Sequence, residues 1–410
     1  MAKNYANIYN GGNDSVAPNQ RFYITQEAIR GTMEAPANEN FLFTLNGGTI
    51  SFTQSVMQSE HRSDRHNTSF IKEKKATEWS FNTYVNIDTD VVAGATEIDG
   101  AMRVLWKSLL GREQVSSGLI YDSAIDPSIT FTLMEVGDHW AKQAPAAWVD
   151  TCNANFPGDG QSQLEWAGRA ATSYMVGISK SAVDNTGGNT FTADVAGEAR
   201  RAPVGALVMF VALDGVTRLE GTDLAPRTVT ATDPLTGIIT VDGAAFIDMD
   251  GVEAAFLVYW EPETPTAINN PITGLVGSVT LDTLSVSCVR SLSVSINNQH
   301  EAVDYCYGTD ALASPYFVPA DRLLVEVSME VNLNASLVEF YNRVLAFEGH
   351  NLDVDLGNIA SRHLHLDLPY VVFSIPEVSV PDSGSIPVTF DGTAYQSALG
   401  AADELTVSYL

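Results

Sequence analysis

Charge is scarce in this chain, and positive charge scarcer still. Only 18% of its 410 residues are charged, with Lys+Arg 22 against Asp+Glu 50, giving a formal net charge of −28 at pH 7. That balance argues against a surface that grips nucleic-acid phosphates over a large area, since such surfaces are built from Lys and Arg. Long surface helices with Glu/Lys outer faces are disfavoured too. The 3 cysteines, Cys152, Cys288 and Cys306, form no CxxC or Cys/His spacing, so neither a disulfide framework nor a zinc site is indicated, and buried free thiols are expected. The longest apolar runs, VGALVMFVAL and VEAAFLVYW, fall far short of the roughly 20 residues of a membrane-spanning helix. The opening MAKNYANIYNGGND lacks the apolar core of a signal peptide, so a soluble protein made in the cytoplasm is expected, with no membrane partner.

Catalytic signatures are also missing. No GxSxG, HExxH, P-loop or dinucleotide fingerprint occurs, and no pair among the many carboxylates is singled out for hydrolytic work. His363 and His365 share one strand face, with Asp353, Asp355 and Asp367 near in sequence. That spacing suits a divalent metal, but the sequence fixes no third ligand. The DxDxG pattern at 353–357 is too short for a calcium loop. The expectation is therefore a non-enzymatic protein with no cofactor and no assigned metal.

What the chain does have is alternation. FLFTLNGGTISFTQSV at 41–56 reads as two strands around Gly47-Gly48, or one strand with a bulge. EWSFNTYVNID at 78–88 places Trp79, Phe81, Val85 and Ile87 on one face and Ser80, Asn82, Tyr84 and Asn86 on the other. A short amphipathic helix follows in DGAMRVLWKSLL, with Gly111 where a C-terminal cap belongs. Strands are then expected at 129–136, 147–156 and 163–176. From about Asp194 to Glu263, short strands between Asp-Gly and Asp-Pro turns suggest a small inserted barrel, and EPETPTAINNPITG reads as its exit linker.

From Val279 the opening pattern recurs. A strand region, VTLDTLSVSCVRSLSVSI, is followed by a long polar loop and by RLLVEVSMEVNL, whose Leu323, Val325, Val327, Met329, Val331 and Leu333 alternate. SLVEFYNRVLAFEG then gives a second helix expected to end at Gly349. Strand, long loop, strand, helix, strands thus occurs twice, which reads as an internal duplication rather than a chance likeness. The domains are placed at 1–190, with a long basic loop at 57–77, at 191–265 for the insertion, and at 266–410.

These segments resemble the major tail protein, or tail tube protein, of long-tailed bacteriophages. The likeness rests on NGGTISFTQSV, SEHRSDRHNTSFIKEKK, EWSFNTYVNID and AMRVLWKSLLG in the first half, echoed by SVSINNQHEAVDYCYGTD, LLVEVSMEVNL and SLVEFYNRVLAF in the second; it does not extend to the insertion. The resemblance implies a mainly β fold: two tail-tube-like sandwich or barrel domains, each with one flanking helix, beside a small inserted β-barrel-like domain. It implies a virion tail protein assembled in the host cytoplasm, with rings stacking around a lumen through which DNA passes as non-specific cargo. Two copies per chain imply a homo-trimeric ring with pseudo-sixfold symmetry, a homo-hexamer being the simpler alternative, together with other tail proteins as partners. A capsid-decorating or receptor-binding phage module is the competing reading.

Within that reading, Ser80, Asn82, Tyr84, Asn86, Glu326, Ser328, Glu330 and Asn332 are candidates for a lumen-facing surface, or else for an ordinary solvated face. An acidic wall poor in bases would let DNA slide. Arg62, Arg65, Lys72, Lys74 and Lys75 concentrate positive charge in one stretch. They form either a solvated loop or an inter-subunit arm that pairs with acidic surfaces of a neighbour, and the arm is the reading adopted.

Overall fold

The computed structural model describes residues 3–11, 19–45, 47–58, 70–86, 100–116, 118–124, 129–182, 189–219, 225–243, 255–262, 271–273, 277–286, 288–303, 316–359, 362–378 and 380–410. Alternating side chains organise the whole. In β2 (Phe70–Tyr84), Thr77, Trp79, Phe81 and Thr83 are buried while Glu78, Ser80, Asn82 and Tyr84 face outward, the period of two that a half-buried strand requires.

This strand lies in a row of antiparallel strands made of β1 (Thr49–Gln58), β2, β3 (Trp140–Pro157), β4 (Gln163–Ala170), β5 (Val289–Asn297), β6 (Leu324–Asn332), β7 (Arg362–Phe373) and β8 (Pro387–Ala394). Their spatial order is β1-β2-β4-β3-β5-β6-β8-β7. The junction between the halves is therefore a strand pair, β3 with β5, running from Thr151↔Asn297 to Pro157↔Ser291.

The registers of the two halves match residue for residue. Ala147↔Ala170, Trp148↔Arg169 and Val149↔Gly168 in the first half become Val371↔Ala394, Val372↔Thr393 and Phe373↔Gly392 in the second, each number raised by the same amount. Trp79↔Gly168 and Phe81↔Trp166 likewise correspond to Val327↔Gly392 and Met329↔Phe390. Ile50↔Trp79 and Ser51↔Glu78 correspond to Val294↔Val327 and Ser295↔Glu326. A glycine stands at the same crossing in both, each for want of room. A Cβ on Gly168 would lie 2.0 Å from the Trp148 carbonyl oxygen and 2.6 Å from the Trp79 ring, and one on Gly392 would lie 2.8 Å from the Phe373 ring.

A second layer covers the apolar face. Arg21–Gln26, Phe131–Val136, the start of β3 and Tyr174–Gly177 cover the first half. Gly277–Leu281, His350–Ile359, the start of β7, Thr406–Tyr409 and Leu119–Ser123 continue it. Between the layers lies one hydrophobic core that includes Trp79, Trp166, Val327 and Phe390. Helix α1 (Gly100–Leu110) is buried along most of its length and stops at Gly111, whose φ of 91° is the left-handed conformation glycine permits. Its Trp106 donates to Tyr409 Oη at 2.8 Å. Helix α2 (Ala335–Leu345) is capped by Asn334, whose Oδ1 accepts from the Leu337 amide at 3.1 Å. It ends four residues before the expected Gly349, because Phe347 itself takes the left-handed position, at φ 54°.

The insertion closes into a barrel of Ser179–Ala182, Thr190–Ala193, Ile238–Val241, Arg227–Asp233, Leu207–Ala212 and Ala255–Tyr259, in that order. Its first strand begins ahead of residue 191, where the domain was placed. The barrel core, with Phe191, Phe210 and Leu257, is continuous with Tyr23, Met134 and Val136 on the outside of the first half. Gln143 and Leu207, Trp260 Nε1 donating to the Pro36 carbonyl at 3.1 Å, and the ion pair of Arg21 with buried Glu261 at 2.6 Å fix the barrel in place.

Candidate functional site

The polar face of the eight-strand row is the surface the fold sets apart. Ser80, Asn82, Tyr84 and Asn86 lie on it, as do Glu326, Ser328, Glu330 and Asn332, while Trp79, Phe81, Val325, Val327, Met329 and Val331 point into the core. Registers place them in transverse files. One file runs Asn82, Glu165, Asn153, Ser295, Glu326 and Thr393 across six strands, and Ser295 Oγ donates to Asn153 Oδ1 at 2.7 Å where the halves meet. The next runs Tyr84, Gln163, Asn155, Ser293, Ser328 and Asp391, and Ser328 Oγ donates to Asp391 at 2.6 Å. Beyond it Arg290 pairs with Glu330 at 2.6 Å. Hydroxyls, amides and carboxylates dominate these files, so the face offers few fixed cations to an anionic polymer.

The basic stretch divides. Arg62 and Arg65, with His61 and His66, lie outside the described residues. Lys72, Lys74 and Lys75 belong to strand β2 rather than to a loop at 57–77, a correction with a simple cause: the β1–β2 ladder continues through Gln54↔Lys75 and Val56↔Lys72 to Gln58↔Phe70. Polar side chains on both faces do not stop a ladder whose backbone groups are paired.

The two ends of the row were not foreseen. At one end β1 pairs with β2 on one side, and among the described residues no strand lies on the other. Ile50 is served there by side chains instead. Its N–H donates to Glu135 Oε2 at 2.9 Å and its carbonyl accepts from Lys142 Nζ at 2.7 Å, with Glu135 and Lys142 themselves 3.2 Å apart. At the other end the chain continues past β7 as Ser374–Val378, which leaves β8 after Ser374 N–H donates to the Asp391 carbonyl at 2.7 Å. Ile375, Val378 and Val380 are exposed there. Sequence could have flagged this segment, since VVFSIPEVSVPDSG aligns with AWVDTCNANFPGDG of β3 once the registers are known.

Asp353, Asp355 and His365 bring their ligating atoms within 4.8 Å of one another on adjacent strands. His365 Nδ1 lies 3.0 Å from Asp355 and 3.6 Å from Asp353, so the imidazole itself serves the carboxylates. His363 lies on the same strand face, and its backbone pairs with Leu410 instead. Burial, with Asp353 nearby, raises the Asp367 pKa above the usual carboxylate range.

No helix among the described residues is long and apolar enough to cross a membrane. The chain matches no family model, and no curated protein matches it.

Proposed function

We propose that this chain is the structural subunit of a phage tail tube, built from two copies of one domain with one flanking helix each. Three chains close a ring of pseudo-sixfold symmetry, and rings stack in the virion tail around a lumen through which DNA passes. The observation that carries the reading is the matched registers of the two halves, joined edge to edge in one sheet with its polar face on one side. A join that repeats head to tail generates a ring when its rotation closes. Closure also disposes of the strand edges at β1 and beyond β7, which would otherwise template uncontrolled pairing. The files through Asn82 and Tyr84 would line the lumen, and the scarcity of cations along them fits a conduit that does not hold its cargo.

The barrel, fixed to the opposite side of the first half, becomes an outward projection, and the basic stretch from Arg62 to Lys75 serves contacts between stacked rings. The role requires no catalysis and no cofactor. Negative-stain electron microscopy with mass measurement, at high protein concentration and across salt, tests it. Rings with a central channel and three chains each are expected, with stacking weakened by salt. Six chains per ring would retain the tube and discard the pseudo-sixfold arrangement. Compact monomers under every condition would favour a decorating or receptor-binding module.

A further inference from the structure

We propose that copies of this chain join by adding Ser374–Val378 of one to the open edge of β1 of the next, in the register of the internal β3–β5 junction. The inference deepens the ring reading and rests on it.

The internal junction supplies the register. Carrying Asn153↔Ser295, Cys152↔Ile296 and Thr151↔Asn297 over by the matches between the halves gives Glu377↔Ser51, Pro376↔Phe52 and Ile375↔Thr53. Burial points to the same pairing. At the internal junction Ile296 is 1% exposed, Ala154 2% and Phe156 4%; their counterparts Phe52, Val378 and Val380 are 43%, 38% and 71% exposed. The positions that one half covers on the other are bare at the ends of the row, and what covers them inside the chain is another copy of the same edge. A second copy is therefore the occupant the surface fits.

Local chemistry agrees. Pro376 has no N–H, so it is tolerated where its donor side faces an edge, and its carbonyl remains to accept from the Phe52 amide. At Ile50 the Glu135 and Lys142 side chains already hold the backbone groups, which shields part of the edge in a single chain. Ser51 and Glu377 fall on the polar face, as Ser295 and Asn153 do where Ser295 Oγ donates to Asn153 Oδ1.

The test uses full-length chains with Cys288→Ser and Cys306→Ser. One preparation carries Ser51→Cys and the other Glu377→Cys; they are mixed, assembled and oxidised. A disulfide-linked dimer is expected in the mixture, lost in either preparation alone and at least about tenfold less abundant when Ile375→Cys replaces Glu377→Cys, because a diagonal neighbour on an adjacent strand lies roughly 7–8 Å away. Rings that cross-link through Ile375→Cys but not Glu377→Cys would overturn the register and leave the ring standing. Rings that cross-link through neither would place the contact elsewhere. Absence of any ring, with no cross-link, would defeat both the register and the reading beneath it.

Discussion

Gln143 and Leu207 exchange two hydrogen bonds: Gln143 Nε2 donates to the Leu207 carbonyl at 2.8 Å, and the Leu207 amide donates to Gln143 Oε1 at 2.8 Å. One side chain from β3 thus stands in for a strand neighbour to the barrel. Gln143→Leu leaves a buried N–H and C=O without partners, at about 1–3 kcal/mol each. Scanning calorimetry should show the barrel melting apart from the rest, where the native protein keeps them coupled.

Gly168 and Gly392 predict unequal costs for the same substitution. Gly168→Ala forces a methyl against a backbone oxygen 2.0 Å away, which cannot swing aside, so about 3 kcal/mol or more of stability should be lost. Gly392→Ala meets the Phe373 ring and the Val371 side chain first, with the Val372 carbonyl at 3.1 Å, and should cost roughly 1–3 kcal/mol. Urea unfolding of the two variants checks the order; equal costs would show that the crossings are not packed alike.

Asp282 links the second half to pH. Burial pushes its carboxyl pKa up, but the His350 hydrogen bond, the Asn351 amide and the Arg343 guanidinium outweigh burial and hold it below the usual range. Its contribution is therefore present above the unfolded value of about 3.9 and is lost as pH falls below that toward the folded value. Asp282→Asn should flatten the acid limb of a stability–pH curve below about pH 4. Asn tolerates the left-handed backbone that Asp282 adopts at φ 53°. An unchanged acid limb would mean that other carboxylates govern it.

Asp367 carries the opposite sign. Its pKa is raised, first by burial, so ionising it works against the fold, and that penalty is relieved as pH falls through the folded pKa. It faces Asp353 across the β7–His350–Ile359 ladder. Asp367→Asn should raise the melting temperature at pH 7 by removing a like-charge cross-strand pair, an effect of roughly 0.2–1 kcal/mol. The gain should shrink in acid.

Tyr409→Phe removes the acceptor of the Trp106 indole N–H and should cost about 1–3 kcal/mol, the penalty for a buried donor left unpaired. Trp106 fluorescence offers a local probe of the same change.

Legibility in the sequence followed the strength of alternation. The faces of β2 and β6 could be read directly, because Trp79, Phe81, Val325 and Val327 alternate with polar neighbours. The end of helix α2 could not, since Phe347 adopts a conformation that sequence reasoning reserves for glycine. Strand at Lys72–Lys75 was hidden by its charge, which marks exposure and says nothing of backbone pairing. The ends of the row were invisible for a different reason. That Val378 and Val380 match Ala154 and Phe156 emerges only from pairing registers, and the roles of Glu135 and Lys142 at Ile50 depend on contacts distant in sequence.

The strand Thr406–Tyr409 lies between Leu119–Ser123 and β7, and Trp106 waits on a hydroxyl 303 positions downstream. A ribosome must therefore pass Tyr409 before the first half can seal its outer layer. Chains stalled earlier present raw strand edges to the cytosol, so translation speed and chaperone occupancy, rather than local propensity, set the yield of competent subunits.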